Sequence, residues 1–204
     1  DEMPEFSRRS LEILRQPLED KVIRISRVYG TYDFPADFML CAAMNPCPCG
    51  HYPDMNRCRC TPVQVMQYLG RISQPLLDRL DLCAEVSPVD FEGLSSGRKG
   101  ESTQTIRERV ICAQDIQRER YKIEGIQFNG ELSGAQIEKY CKMEKDARQL
   151  LKMAFQNMPF SARAYHRILK VARTIADMEA TESIHRHHIA EALSYRAFDK
   201  KYWN

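Results

Sequence analysis

The chain has 204 residues, 43% of them hydrophobic, and its 30 Lys and Arg against 28 Asp and Glu leave a net charge of +2. That length suits one large domain or two small ones, and the balanced charge excludes a general electrostatic footprint for nucleic acid, so a DNA contact has to come from a local patch or from aligned copies. No run of about eighteen apolar residues exists, which excludes a membrane-spanning helix.

The chain opens on Asp1-Glu2-Met3-Pro4-Glu5. A secretory leader opens on cations, so this start is read as no signal peptide and as the edge of a fragment. Residues 7–15 carry Leu11 and Leu14 at helical spacing, and Pro17 is expected to end that helix. Residues 21–28 alternate, Gly30-Thr31 reads as a turn, and Asp33-Phe34-Pro35 returns, which predicts a β-hairpin with a basic face. Residues 38–44 (FMLCAAM) form a continuous apolar run, expected to be a buried central strand. Residues 62–69 and 73–80 read as short helices, and residues 82–86 as a short strand.

Residues 93–104 read as a Gly/Ser/Lys-rich linker between a first zone, 1–92, and a helical zone, 105–204. In the helical zone Ser102 or Thr103 is placed to cap a helix to about Tyr121, Ser133 to cap residues 134–140, and Ser161 to cap a long helix. Residues 143–157 are amphipathic, and residues 184–198 close the set. The fold class expected is α/β, a strand-bearing piece followed by an all-α bundle.

Six features bear on chemistry. Asp1-Glu2 are ordinary surface acids unless they end a Walker B strand, where the Asp holds Mg²⁺ and the Glu polarises water. Asn45 follows the apolar run; it is either a turn former or an amide that orients water at the carboxyl edge of a parallel sheet. Cys47, Cys49, Cys58 and Cys60 form two C-x-C pairs around a polar loop, a set that suits tetrahedral Zn²⁺. The other reading is a reduced loop without metal, and His51 is a weaker ligand candidate. The remaining cysteines, Cys41, Cys83, Cys112 and Cys141, read as buried free thiols, and the lack of a leader favours a reducing cytosol over disulfides.

Arg79 lies between Asp78 and Asp81 and reads as a solvated ion pair unless it reaches another subunit's nucleotide. Arg163 stands in the first turn of its helix, where the macrodipole disfavours a cation. His185, His187 and His188 resemble a metal tract, but helical spacing splits them across faces, so surface histidines are expected. The pattern G-x-x-x-x-G-K-[ST] does not occur in the chain.

The order of these features carries a resemblance. Asp-Glu-x-Pro-Glu-Phe, Leu-Arg-Gln-Pro-Leu-Glu-Asp, Ile-Ser-Arg, Ala-Met-Asn-Pro-Cys-Pro-Cys-Gly, Arg-Ile-Ser-x-Pro-Leu-Leu-Asp-Arg-Leu-Asp and Ser-Ala-Arg-Ala-Tyr-x-Arg-Ile-Leu-Lys-Val-Ala-Arg-Thr-Ile-Ala-Asp follow one another along nearly the whole chain. This series resembles the YifB/ComM family of magnesium-chelatase-like AAA+ proteins. The resemblance implies the C-terminal part of an AAA+ core, with a parallel sheet and a β-hairpin insertion, followed by a helical lid.

It also implies roles. Asp1 and Glu2 match the end of Walker B, Asn45 sensor 1, Arg79 an arginine finger acting in trans, and Arg163 sensor 2. The hairpin at residues 21–35 matches one that faces DNA, with Arg24 and Arg27 as the contacts. The parent protein is then expected to use ATP and Mg²⁺, to form a homo-oligomer, a hexamer in the ComM type, and to move on DNA during natural transformation. Without the phosphate loop this chain is expected to bind ATP poorly or not at all. Two other readings stay open: an ATPase motor that loads metal into a porphyrin, and a non-enzymatic, zinc-stabilised oligomerisation module.

Overall fold

The computed structural model describes residues 1–87, 91, 95, 100–158 and 160–196. They form two compact units, residues 1–80 and 81–196. Half of the expected linker at 93–104 and the end of the expected helix at 184–198 lie outside the described residues. None of the described helices is long and apolar enough to cross a membrane.

In the first unit Ser7 caps α1 (Arg8–Ile13), its Oγ accepting from Ser10 N at 3.1 Å. Pro17 ends α1 but not the helical path. Its ring opposes the carbonyl four residues back, at Ile13, where α1 stops. The chain then restarts as α2 (Arg15–Asp20), with Pro17 in the first turn, where no amide donor is needed. Lys21, at a left-handed φ of 56°, turns the chain into β1 (Val22–Arg27).

β1 pairs antiparallel with β2 (Gly30–Pro35), with Arg24 opposite Asp33, Ile25 opposite Tyr32 and Ile23 opposite Phe34. The hairpin is as expected, but its turn is Val28-Tyr29 rather than Gly30-Thr31. The basic face is also corrected. Side chains alternate along a strand, so Arg24 and Arg27, three apart, lie on opposite faces. One face carries Arg24, Ser26, Thr31 and Asp33; the other carries Ile23, Ile25, Tyr32 and Phe34, all exposed.

The expected central strand at 38–44 is not formed. Phe38 and Met39 are exposed, and no described strand runs alongside. A buried strand needs neighbours on both edges; here Met3 N–H bonds to Ala43 O at 3.1 Å, and β1 and β2 pair with each other. Residues 82–86 likewise form no strand, and Leu82 and Val86 are exposed. A parallel sheet is therefore not part of the described structure.

The expected helix at 62–69 is α3 (Pro62–Leu69), opened by a reciprocal Thr61–Gln64 capping box with Pro62 in its first turn. The one at 73–80 is shorter, α4 (Gln74–Leu77). Met3, Leu11, Ile72, Leu76 and Leu77 form one small core. Cys47, Val65, Tyr68 and Leu69 form another, and Met44 packs against both.

The second unit is helical: α5 (Thr103–Arg120), α6 (Gly134–Tyr140), α7 (Lys145–Asn157), α8 (Ala162–Met178) and α9 (Arg186–Ser194). The three expected caps hold. Ser102 accepts from Thr105 N, Ser133 forms a capping box with Gln136, and Ser161 accepts from Ala164 N at 3.1 Å. The core runs from Tyr121 and Ile137 through Leu151, Ile168, Leu169 and Ala172 to Ile184 and Ile189.

A buried polar knot ties α5 to α8. Asp177 accepts from Arg120 Nη1 at 2.9 Å, Asn129 Nδ2 at 2.8 Å and Arg173 Nε at 3.1 Å. Arg173 also donates to the carbonyls of Thr181 and Glu182. Burial works against the Arg120 charge, but the bonds to Asp177 outweigh it and hold its pKa above the ordinary value.

Candidate metal centre and nucleotide-facing residues

The four cysteines meet as the spacing predicts. Gly50, at φ +78°, lets the first pair turn back, and its N–H bonds to Cys47 O at 3.0 Å. The Sγ atoms of Cys47 and Cys49 lie 3.4 Å apart, Cys47 and Cys58 3.8 Å, and Cys49 and Cys58 3.6 Å. Cys60 completes the group, with all four sulfurs within 4.8 Å of one another. Four thiolates at about 2.3 Å from a tetrahedral Zn²⁺ stand about 3.8 Å apart along each edge. The donor set and its spacing therefore fit that ion.

The electrostatics of the cluster agree. Backbone donors at His51 and Arg59 pull the Cys49 thiol down to about 6. Burial first, and the neighbouring sulfurs after it, push Cys60 up to about 12. One thiolate is favoured and its neighbours resist joining it; a divalent cation at the centre would let all four ionise. His51 is exposed and is not in the group. Cys47 is fully buried and packs with Val65, Tyr68 and Leu69 of α3, so the loop is anchored on a helix. Of the other thiols only Cys141 is buried. Cys41 and Cys112 are exposed and Cys83 is half-buried, because the strands expected to cover Cys41 and Cys83 do not form and α5 buries little more than Ala113 and Gln117.

Asp1 and Glu2 are exposed at the mouth of a one-turn 3₁₀ helix, Met3–Glu5. The Met3–Ala43 bond sets them beside the end of the extended segment that leads to Asn45. Asn45 is exposed, with its side chain near Gly50. Tyr68 of α3 is a group that sequence reading missed. It is 6% exposed and bonds to the Asn45 backbone, and burial, followed by the Glu5, Cys47 and Glu2 charges, raises its pKa. Tyr68 thus joins Asn45 to the cysteine loop. A helical tyrosine in an apolar stripe gives no sign of that in sequence.

Arg79 is not a solvated ion pair. Its side chain is 11% exposed, donating from Nε to Arg15 O at 3.1 Å, from Nη1 to Pro75 O at 2.7 Å, and from Nη2 to Glu19. Glu19 is its carboxylate, sixty residues away and invisible to local spacing. Arg163 is exposed in the first turn of α8, in the second unit. Arg24 is held by Asp33 through two bonds of 2.8 and 2.9 Å, which neutralises it. Arg27 is exposed beside the turn.

His187 is exposed as expected, but the expected split across faces is corrected. His187 Nε2 and His188 Nε2 both lie 2.9 Å from Glu179 Oε2, and His188 is fully buried. Adjacent positions converge because they sit in the first turn of α9, where His188 Nδ1 accepts from His185 N at 3.0 Å. That bond leaves the His188 proton on Nε2, as the donor to Glu179. The trio is therefore a hydrogen-bonded latch on the helix start, with no lone pair at His188 Nε2 for a metal.

Two family profiles divide the chain. "Magnesium chelatase, subunit ChlI" matches residues 1–94, and "Magnesium chelatase, subunit ChlI C-terminal" matches residues 100–196. The chain is 46% identical to the uncharacterized protein YifB of Salmonella typhimurium over 98% of its own length and 39% of the relative's. It is 46% identical to the competence protein ComM of Haemophilus influenzae over 97% and 38%, and 43% identical to YifB of Escherichia coli over 98% and 39%. The chain belongs to the magnesium-chelatase-like YifB/ComM family. It spans about two fifths of the length of these relatives.

Proposed function

We propose that the chain is the switch-bearing part of a ring-forming AAA+ ATPase that works on DNA in the cytoplasm, with competence as its setting. The observation that carries this is the Met3–Ala43 backbone bond, which sets the Asp1-Glu2 pair beside the segment ending in Asn45. In such an ATPase Asp1 would hold Mg²⁺, Glu2 would polarise the attacking water, and Asn45 would orient it. The chain has no Walker A loop, so ATP itself would be held by residues supplied outside it.

Arg79 would act as the finger on a neighbour's γ-phosphate, which requires its release from Glu19, and Arg163 as sensor 2. Of the hairpin cations Arg27 is the better DNA contact, because Arg24 is spent on Asp33. The four cysteines would hold a structural Zn²⁺ that fixes the loop after Asn45.

The test uses the full-length protein. Glu2→Gln and Arg79→Ala should each leave ATP binding nearly intact and lower turnover by about 100-fold or more. Turnover unchanged in both sinks the assignment. The family description favours one second reading, a motor that inserts metal into a porphyrin. Stimulation of turnover by DNA supports the first reading; stimulation only by a porphyrin-binding partner supports the second.

A further inference from the structure

The second unit holds a cavity of about 840 Å³ between α6, α7 and α8 that the nucleotide and zinc assignments do not use. Ile137, Leu151 and Leu169 are buried in its floor, and Phe155 and Tyr165 form a half-buried wall. Its rim carries Lys142, Arg148 and Lys152, all exposed, against a single acid, Glu138. None of the three cations pairs with a described residue. Arg148 and Lys152 are four apart on α7, a like-charge placement that costs an isolated helix about 0.2–0.5 kcal/mol. An apolar floor with an uncompensated basic rim suits an acidic segment with apolar anchors.

The same chain carries such a segment. Residues 86–94 read VSPVDFEGL, with Asp90 and Glu92 among Val86, Val89, Phe91 and Leu94, and no cation occurs between Arg79 and Arg98. Val86 is 89% exposed and Phe91 82% exposed, so a chain does not place these two anchors in its own cavity.

We infer that the basic-rimmed cavity of one copy receives residues 86–94 of a second copy. Cavity and segment are different surfaces, so the contact is head-to-tail and builds rings or open chains rather than an isologous pair. This deepens the oligomer reading above by naming a surface for it.

Sedimentation of the 204-residue chain over a wide concentration range tests the inference. Self-association is expected, and should weaken as salt screens the rim. Arg148→Glu with Lys152→Glu should weaken it by about tenfold or more. Asp90→Lys with Glu92→Lys should do the same, and the variant with all four changes should associate again. Circular dichroism would check that the four substitutions leave the helices intact.

A chain that stays monomeric, or association indifferent to the reversals, overturns the inference. If ATP-loaded full-length protein still forms a ring in that case, only this interface fails. If it too stays single, the oligomer reading fails with it.

Discussion

Among the described residues, 81–196 bury fourteen apolar side chains in one cluster, while 1–80 divide theirs into one group of five and another of four. The larger cluster is closed by helices with their own caps and by a polar knot at Asp177 whose donors come from within the unit. The smaller groups sit beside an exposed hairpin, an unpaired apolar segment and four convergent thiols. Small cores seldom hold a fold without a staple. One unit thus carries its stabilisation in apolar burial, and the other sets small cores beside four convergent thiols and exposed apolar groups.

The largest expected effect follows from that contrast. Structural zinc contributes apparent folding free energy of about 10–16 kcal/mol in small zinc domains. Chelation, or Cys58→Ser, should collapse amide protection over α3 and the cysteine loop while α8 and α9 stay protected, as read by hydrogen exchange. His51→Ala should keep the metal. Less than about half an equivalent of zinc after metal-replete expression rules out a tight Cys₄ site, and equal loss of protection in both units breaks the comparison.

The second unit has its own weak point. Asp177→Ala would leave the Arg173 guanidinium, 1% exposed, without its carboxylate. Breaking a buried pair from one side costs about 3–5 kcal/mol, because the remaining charge is stranded. Urea unfolding of the helical unit should show a loss of that size. Replacing Asp177 and Arg173 together by apolar residues of similar volume should cost much less; an equal loss would mean the knot acts through more than the charge pair.

What sequence made legible divides along the same line. Ser102, Ser133 and Ser161 announce their helices because a cap is a local bond between neighbours in the chain. The Cys47–Cys60 cluster was legible for a similar reason: a turn of eleven residues can close on itself. Residues 38–44 were not, because an apolar run becomes a strand only when other strands flank it, and no local pattern reports their presence. Tyr68, Glu19 and the His188–Glu179 latch were missed because their partners lie far along the chain or depend on the geometry of a helix start. The pairing of Arg24, expected as a DNA contact, was not legible either, since the strand register that sets Asp33 against it is not written in the spacing of either residue.

The smallest effect probes how the helical unit responds to acid. Glu124 accepts from Lys139 Nζ at 2.6 Å, from the Tyr140 hydroxyl at 2.7 Å and from Gln136 Nε2 at 3.2 Å. The Lys139 bond first, then those of Tyr140 and Gln136, lower its pKa from the ordinary 4.5 to about 2. A carboxylate whose folded pKa is depressed binds protons more readily when unfolded. Its stabilisation is therefore complete above about 4.5 and is lost as pH falls towards 2. Because the group lies at the surface and is partly exposed, that contribution is small and screened by salt. Glu124→Gln should flatten the pH dependence of the unfolding midpoint in that window and leave the midpoint at neutral pH only slightly lower. An unchanged acid slope would mean that other carboxylates with lowered pKa values, Glu179 held by His187 and His188 or Glu101 held by Arg109, govern acid sensitivity instead.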